Sequence, residues 1–400
     1  MIKQSNEVTL EDLIEVDETQ AEVEKLPKKD SEIEDAYKNL SFRIIYQTNN
    51  FFLPQIRDLI NGKEVINLRP EYQRRLRWST KKKSLLIESL LLNIPIPPIY
   101  LFESDLARYE VMDGQQRLNA IHDFMENNFA LVGLEKLNFL NGRRYKKLPP
   151  KLLRGIDRAS ISAIVLLQET QADKSDPFLV RRYVFERLNT GGENLNPQEI
   201  RNSIFRGPFN DLIVQLARNN TFCRMFGIPE YTETDENEYY ENPERQKNNL
   251  YSRMNDCQII LRFFALIDDN NVRGSMRSIL DNCMKGHRNV STEILAKYKS
   301  EFEKMITACD QIFKGEAFLL PPDDKGKRRI SIALFDACTV ALYRRNELLA
   351  TFVKKGNQIR AKVNETLNTN LELLTGKANT AQAIKDRISK IGKILDDVSK

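Results

Sequence analysis

Histidine is nearly missing from this chain of 400 residues: there are two, His122 and His287, far apart in sequence. That scarcity excludes a Cys/His zinc finger and an HExxH protease for want of ligands. It also leaves neither histidine with the clustered His, Asp and Asn company of an HNH nuclease. Cysteine is sparse too. Cys223, Cys257, Cys283, Cys309 and Cys338 form no CxxC pair, and such an odd, widely spaced set fits reduced core thiols in a cytoplasm. No apolar run approaches the ~18 residues of a membrane helix, and the N-terminus lacks the basic-then-apolar order of a signal peptide. The expected location is cytoplasmic, with no membrane partner. A GxSxG elbow is absent, and neither Gly62-Lys63 nor Gly376-Lys377 has the upstream glycine and following Ser/Thr of a P-loop.

What remains is an ordinary globular composition with an uneven charge. Lysine and arginine number 61 against 56 acidic residues, a net of +5. Residues 1–40, however, hold twelve acidic and five basic side chains. They read as an acidic, partly disordered arm with a short helix around Leu10–Val16. Residues 41–175 mix strands (Ile99–Phe102, Tyr109–Met112, Ile161–Leu167) with helices (Lys82–Leu92, Gln115–Asn127), punctuated by Pro95, Pro97 and Pro98. Residues 176–400 read as helical throughout, interrupted at 232–246 by an exposed acidic loop with six acids and one arginine. The expected class is α+β, a mixed N-terminal domain followed by a mainly α-helical one.

Three segments carry chemistry. In the first, an apolar strand ends in Asp113-Gly114 and a helix starts at once with Gln115-Gln116-Arg117. Glycine permits the tight turn, and first-turn amides beside an arginine make an anion site. Asp113 has the chemistry to hold a metal ion, polarise a water or bind a ribose; Gln115 and Gln116 suit a phosphate, a base edge or a water. The plainer alternative is that Asp113 caps the helix and pairs with Arg117. The second segment, residues 69–83, packs Arg69, Arg74, Arg75, Arg77, Lys81, Lys82 and Lys83 around Tyr72, Gln73 and Trp78, the only tryptophan. Arginines and lysines meet phosphates there while the aromatics stack. A further basic run, Arg143, Arg144, Lys146 and Lys147 through Arg158, reads as a surface loop that helps hold a polyanion. The third segment, Arg187 to Arg201, closes one helix through Asn189 and Gly191-Gly192. It opens the next with Asn196, Pro197 and Glu199 as a capping box.

Taken in order, Tyr72-Gln73-Arg74, Trp78, Pro95–Pro98, Asp113 to Leu118 and Asn189-x-Gly191-Gly192 resemble the DGQQR-motif domain of the ParB/sulfiredoxin-like superfamily. That domain forms the N-terminal half of the GmrSD modification-dependent restriction enzymes and of the phosphorothioate-sensing SspE proteins. The resemblance spans roughly residues 45–215. It implies a ParB-like fold that binds, and in some members hydrolyses, a nucleoside triphosphate (GTP, CTP or ATP) with Mg²⁺. By position it nominates Tyr72, Gln73, Arg74, Gly114, Gln115, Arg117, Asn189 and Gly192 for nucleotide and phosphate. Asp113 and Gln116 would be catalytic, with Asp113 also holding the metal. Arg75, Arg77, Trp78, Lys81, Lys82, Arg143, Arg144, Lys146 and Lys147 are the expected nucleic-acid contacts. Since the chain cannot supply HNH histidines, it is expected to act as sensor or regulator in an anti-phage defence system. DNA, a separately encoded nuclease or effector, and a second copy of the chain are the expected partners. Two readings stay open: an NTPase that gates a nuclease, and a non-catalytic module that binds DNA or a partner.

Overall fold

The computed structural model describes residues 7–8, 13, 29–38, 44–62, 65–68, 78–167, 177–188, 195–233, 240, 242–375 and 380–400. Among them are the strands β1 (Glu7–Val8), β2 (Tyr46–Phe52), β3 (Ile66–Asn67), β4 (Ile99–Asp105), β5 (Arg108–Asp113), β6 (Ser160–Leu166) and β7 (Arg329–Ile330). The chain divides into two compact units, Lys25–Leu195 and Met1–Glu24 joined with Asn196–Lys400. The class is α+β, as the strand and helix periodicities indicate. No helix among the described residues is long and apolar enough to cross a membrane.

In the first unit a five-stranded mixed sheet runs in the order β2-β6-β4-β5-β3. Alternation makes β6: Ile161, Ala163 and Val165 are buried on one face, while on the other Ser162 and Ile164 are partly covered and only Leu166 is buried. The buried face meets Leu101 and Val111 and is covered by four helices. These are α2 (Leu53–Asn61), α3 (Thr80–Leu91), α4 (Gln115–Met125) and α5 (Pro150–Arg158), with Ile56, Ile87, Leu118, Ile121, Phe124 and Ile156 filling the layer between. On the opposite face, helix α6 (Pro177–Leu188) sets Arg181 over the Phe102 ring at 4.4 Å and into an ion pair with Glu110. Helix α6 thus packs with the first unit, Lys25–Leu195.

Two expectations change within the described residues. The run Arg143–Arg158 is not simply a surface loop: Pro150 occupies the first turn of α5, whose Ile156 is fully buried. The N-terminal 40 residues, expected to form a partly disordered arm, are described only at 7–8, 13 and 29–38. Val8 pairs in parallel with Ile330, the Leu13 carbonyl accepts from Gln258 Nε2 at 3.2 Å, and Asp30–Lys38 is an exposed helix. Apart from Leu13, the helix expected over 10–16 lies outside the described residues. The segment 232–246, read as an exposed acidic loop, contains Tyr240 and Arg245, both almost fully buried. Arg245 reaches the carbonyls of Pro229 and Glu230 and the Glu233 carboxylate at 3.0 Å. Burial would raise the Glu233 carboxyl, but Arg245, the Glu233 and Thr232 amides and Asn242 bring it down to about 2.

The second unit is built around the helix Ile332–Tyr343, in which every residue from Ile332 to Leu342 is buried. Its single carboxylate, Asp336, meets Arg262 of the helix Asn255–Ile267 in a two-pronged ion pair, with Nε 3.1 and 3.0 Å from the two oxygens. Helix α7 (Pro197–Ile204) opens with the anticipated capping box: Asn196 Oδ1 accepts from the Glu199 amide at 2.9 Å, and Glu199 Oε2 accepts from the Asn196 amide at 2.6 Å. All five cysteines are free and buried. Burial pushes the Cys283 and Cys338 thiols up to about 12, so they stay protonated and unreactive.

Candidate functional site

The junction between β5 and α4 is built on one residue without a side chain. Gly114 sits at φ +91°, in the left-handed region, and turns the chain from strand to helix in a single step. A Cβ there would lie 2.5 Å from Ile99 Cγ2 and 3.0 Å from Arg117 Nη2. Gly114→Ala therefore combines a left-handed backbone penalty with overpacking and is expected to destabilise the first unit by about 2–4 kcal/mol. Urea denaturation followed by circular dichroism measures this; a change under 1 kcal/mol, roughly the scatter of neutral substitutions, would disprove it.

The cap position is thus Gly114 rather than Asp113, and Gly114 supplies no side-chain acceptor to the first turn of α4. Asp113 keeps 47% of its side chain exposed at the strand end while Oδ2 lies 2.5 Å from Arg117 Nη2. The same guanidinium donates through Nη1 to the Pro97 carbonyl at 2.7 Å. Arg117 accordingly ties the proline segment to the motif, and the pairing that the plainer alternative anticipated is present. Gln116 Oε1 accepts from the Trp78 amide at 3.2 Å, which brings the end of the basic segment to the motif. Gln115 is buried. On the sheet, Asp113 stands opposite Tyr100, which stands opposite Ile164. One half-exposed carboxylate, one glutamine and an uncapped helix start meet here. That set suits an anion accompanied by a cation.

The basic residues divide. Trp78 packs against the core of the unit with Lys82 Nζ 4.8 Å over its ring. The stem of Lys81 runs beside Gly133. Val132 donates to Ser84 Oγ of α3, and Leu131 exchanges backbone hydrogen bonds with Gly142 and Arg143. Residues 131–133 thereby lie between α3 and the Arg143 segment, with Lys81, Lys82, Arg143, Arg144, Lys146 and Lys147 all exposed. Arg144 Nη1 also donates to the Asn127 carbonyl at 2.8 Å. Tyr72, Gln73, Arg74, Arg75 and Arg77, and likewise Asn189 and Gly192, lie outside the described residues.

Sequence reasoning passed over Glu88. It sits on the buried face of α3 beside Ile87, and its carboxylate accepts from the amides of Lys136 and Leu137, each at 2.7 Å, and Glu135 at 3.2 Å. Burial would raise its pKa, but those three amides and the Lys136 charge outweigh it and hold the carboxyl below the usual range. Helical spacing gave no signal for it, since Glu88 lies seven positions after the exposed Lys81 and so on the same side of α3. Neither histidine stands in a metal cluster: His122 Nε2 bonds Asn61 Oδ1 at 2.8 Å, and His287 stacks on Phe209 and reaches the Tyr298 hydroxyl at 3.0 Å. Among the described residues no group of three or more His, Cys, Asp or Glu side chains is placed to hold a metal by itself.

Comparison with known proteins returned no match among curated proteins or solved structures. A family model does match, that of the GmrSD restriction endonuclease N-terminal domain, over residues 56–206. The matched stretch holds Asp113 to Arg117, the turn and helix just described, and points to a component of a restriction system. Residues 56–206 are thus similar to the N-terminal domain of GmrSD restriction endonucleases, the same family that the ordered motifs resemble.

Proposed function

We propose that the chain is a nucleotide-dependent sensor or regulatory component of a modification-dependent restriction system active against phage. The observation that carries this reading is the half-exposed Asp113 at a left-handed Gly114 turn, directly before an uncapped helix start. A triphosphate seated there meets the first-turn amides of α4, with the nominated Tyr72, Gln73 and Arg74 as its further contacts. Gln116, whose Oε1 is held by the Trp78 amide, presents its Nε2 to a phosphate oxygen or a water. Asp113 is a single carboxylate, which suffices for Mg²⁺ only when phosphates supply further ligands. Bound with the nucleotide, Mg²⁺ would neutralise phosphate charge. The exposed Lys81, Lys82, Arg143, Arg144, Lys146 and Lys147 provide the face for a DNA backbone, and cutting falls to a separately encoded nuclease.

A second reading draws on the double engagement of Arg117. With its guanidinium held by Asp113 and Pro97, the turn also suits a module that binds without turnover. One experiment separates the two. Calorimetry and phosphate release are measured with GTP, CTP, ATP and UTP, with and without Mg²⁺ and DNA. Binding of at least one triphosphate is expected, weakened about tenfold or more in Asp113→Ala through loss of a charged ligand. Phosphate release identifies the NTPase; binding alone identifies the module. The chain by itself is expected to leave DNA uncut. Absence of binding by all four triphosphates would overturn the proposal.

A further inference from the structure

Strand β2 ends the sheet, and among the described residues no strand pairs with its outer edge. Its backbone phase is set by its neighbours. Leu167 donates to the Ile45 carbonyl and Leu53 to the Ala159 carbonyl, in the same continuous register that pairs β2 with β6. Odd positions of β2 therefore turn their backbone groups toward β6, and the amides and carbonyls of Tyr46, Thr48 and Asn50 point outward. The Phe52 amide, next in that series, donates to Gln55 Oε1 at 2.9 Å. Edge strands are ordinarily guarded by lysine, proline or a bulge. Residues 44–52 (Ile-Ile-Tyr-Gln-Thr-Asn-Asn-Phe-Phe) contain no charge and no proline, and the pairing with β6 has no bulge. Ile44, Ile45, Tyr46 and Phe52 are 40, 44, 62 and 50% exposed.

We propose that this edge is a dimerisation surface, on which β2 of a second copy pairs antiparallel about Thr48 to fuse two five-stranded sheets. That register uses the outward groups of Tyr46, Thr48 and Asn50 and no others. Tyr46 faces the partner's Asn50, Thr48 faces the partner's Thr48, and each facing pair exchanges two hydrogen bonds. The Phe52 amide stays with Gln55, whereas a register centred on Asn49 would need it for the ladder. The same register sets the exposed Ile44 against the partner's exposed Phe52, and the exposed Ile45 against the partner's Phe51, whose ring also packs on its own core. Residues 44–52 themselves carry no charge to repel a second copy. A strand edge alone buries less than the ~800 Å² per partner of a standard interface, so the dimer dissociates on dilution in the micromolar range. This surface is independent of the nucleotide reading.

Sedimentation velocity of the full chain, from low to high micromolar, tests it. A concentration-dependent dimer is expected. Thr48→Pro removes both central donors, and it spares the monomer because the Thr48 amide faces away from β6; it is expected to abolish the dimer. Thr48→Lys sets two like charges opposite each other in place of a Thr–Thr pair and is expected to weaken association about tenfold. Far-UV circular dichroism of both variants should match the wild type. Thr48→Cys should form a covalent dimer under mild oxidation, since the five native cysteines are buried. A monomer at every concentration, or a dimer indifferent to both Thr48→Pro and Thr48→Lys, overturns the proposal.

Discussion

Asp336→Ala is expected to cost the helical unit about 3–5 kcal/mol, the price of stranding one member of a buried ion pair. Arg262 is 1% exposed and Asp336 2% exposed, and the surrounding helix offers Ile332, Phe335 and Val340 rather than water. Removing the carboxylate leaves a guanidinium that can neither lose its charge nor reach solvent. The control makes the argument specific. Replacing both partners by apolar residues of similar size, Arg262→Met with Asp336→Leu, is expected to fall within about 1–2 kcal/mol of the wild type, because no charge is then left buried. Chemical denaturation of the three proteins decides it. If the single and double variants unfold alike, the pair does not hold the unit together.

The second large effect belongs to Glu88. Its carboxylate gathers three amides of residues 135–137, so Glu88→Ala is expected to cost about 3–5 kcal/mol through several lost bonds to a charged acceptor. Glu88→Gln is expected to cost about 1.5–3 kcal/mol, because one end of the amide presents donors to a donor. The folded pKa lies below the ordinary value, so the contribution is present above the unfolded pKa of ~4.3 and is lost as pH falls through the folded value. The stability gap between wild type and Glu88→Gln should therefore be widest above about pH 5 and close on acidification. Denaturation across that range reads it. A gap that persists undiminished into strong acid would refute the assignment of charge.

Alternation and helical spacing placed β4, β5, β6, α3 and α4 close to their true positions, because local periodicity determines which face is apolar. The strand-to-helix turn at Asp113-Gly114 was legible for a similar reason: glycine at that point is a backbone requirement, and the +91° torsion satisfies it. The Asn196–Glu199 capping box was equally local. Strand β2 and helix α2 were not legible. Tyr46 to Asn50 is mainly polar, and Pro54 looks like an interruption until it occupies the first turn of a helix. Helix α5 was hidden by its charge, for it buries little beyond Ile156.

Sequence alone determined the α+β class, the scarcity of histidine chemistry, the Gly114 turn and, through the ordered motifs, the likeness of residues 56–206 to the GmrSD N-terminal domain. Tertiary structure decided which charges are spent internally. Arg117 is held by the Pro97 carbonyl 20 residues away, Glu88 by amides nearly 50 residues on, and Arg262 by Asp336 at a separation of 74. It also brought Arg181 of α6 onto Glu110 of β5, 71 residues earlier. Local patterning records which way a side chain points and which torsions a residue tolerates. The partner of a charge depends on how distant elements pack, and that is absent from any short window of sequence.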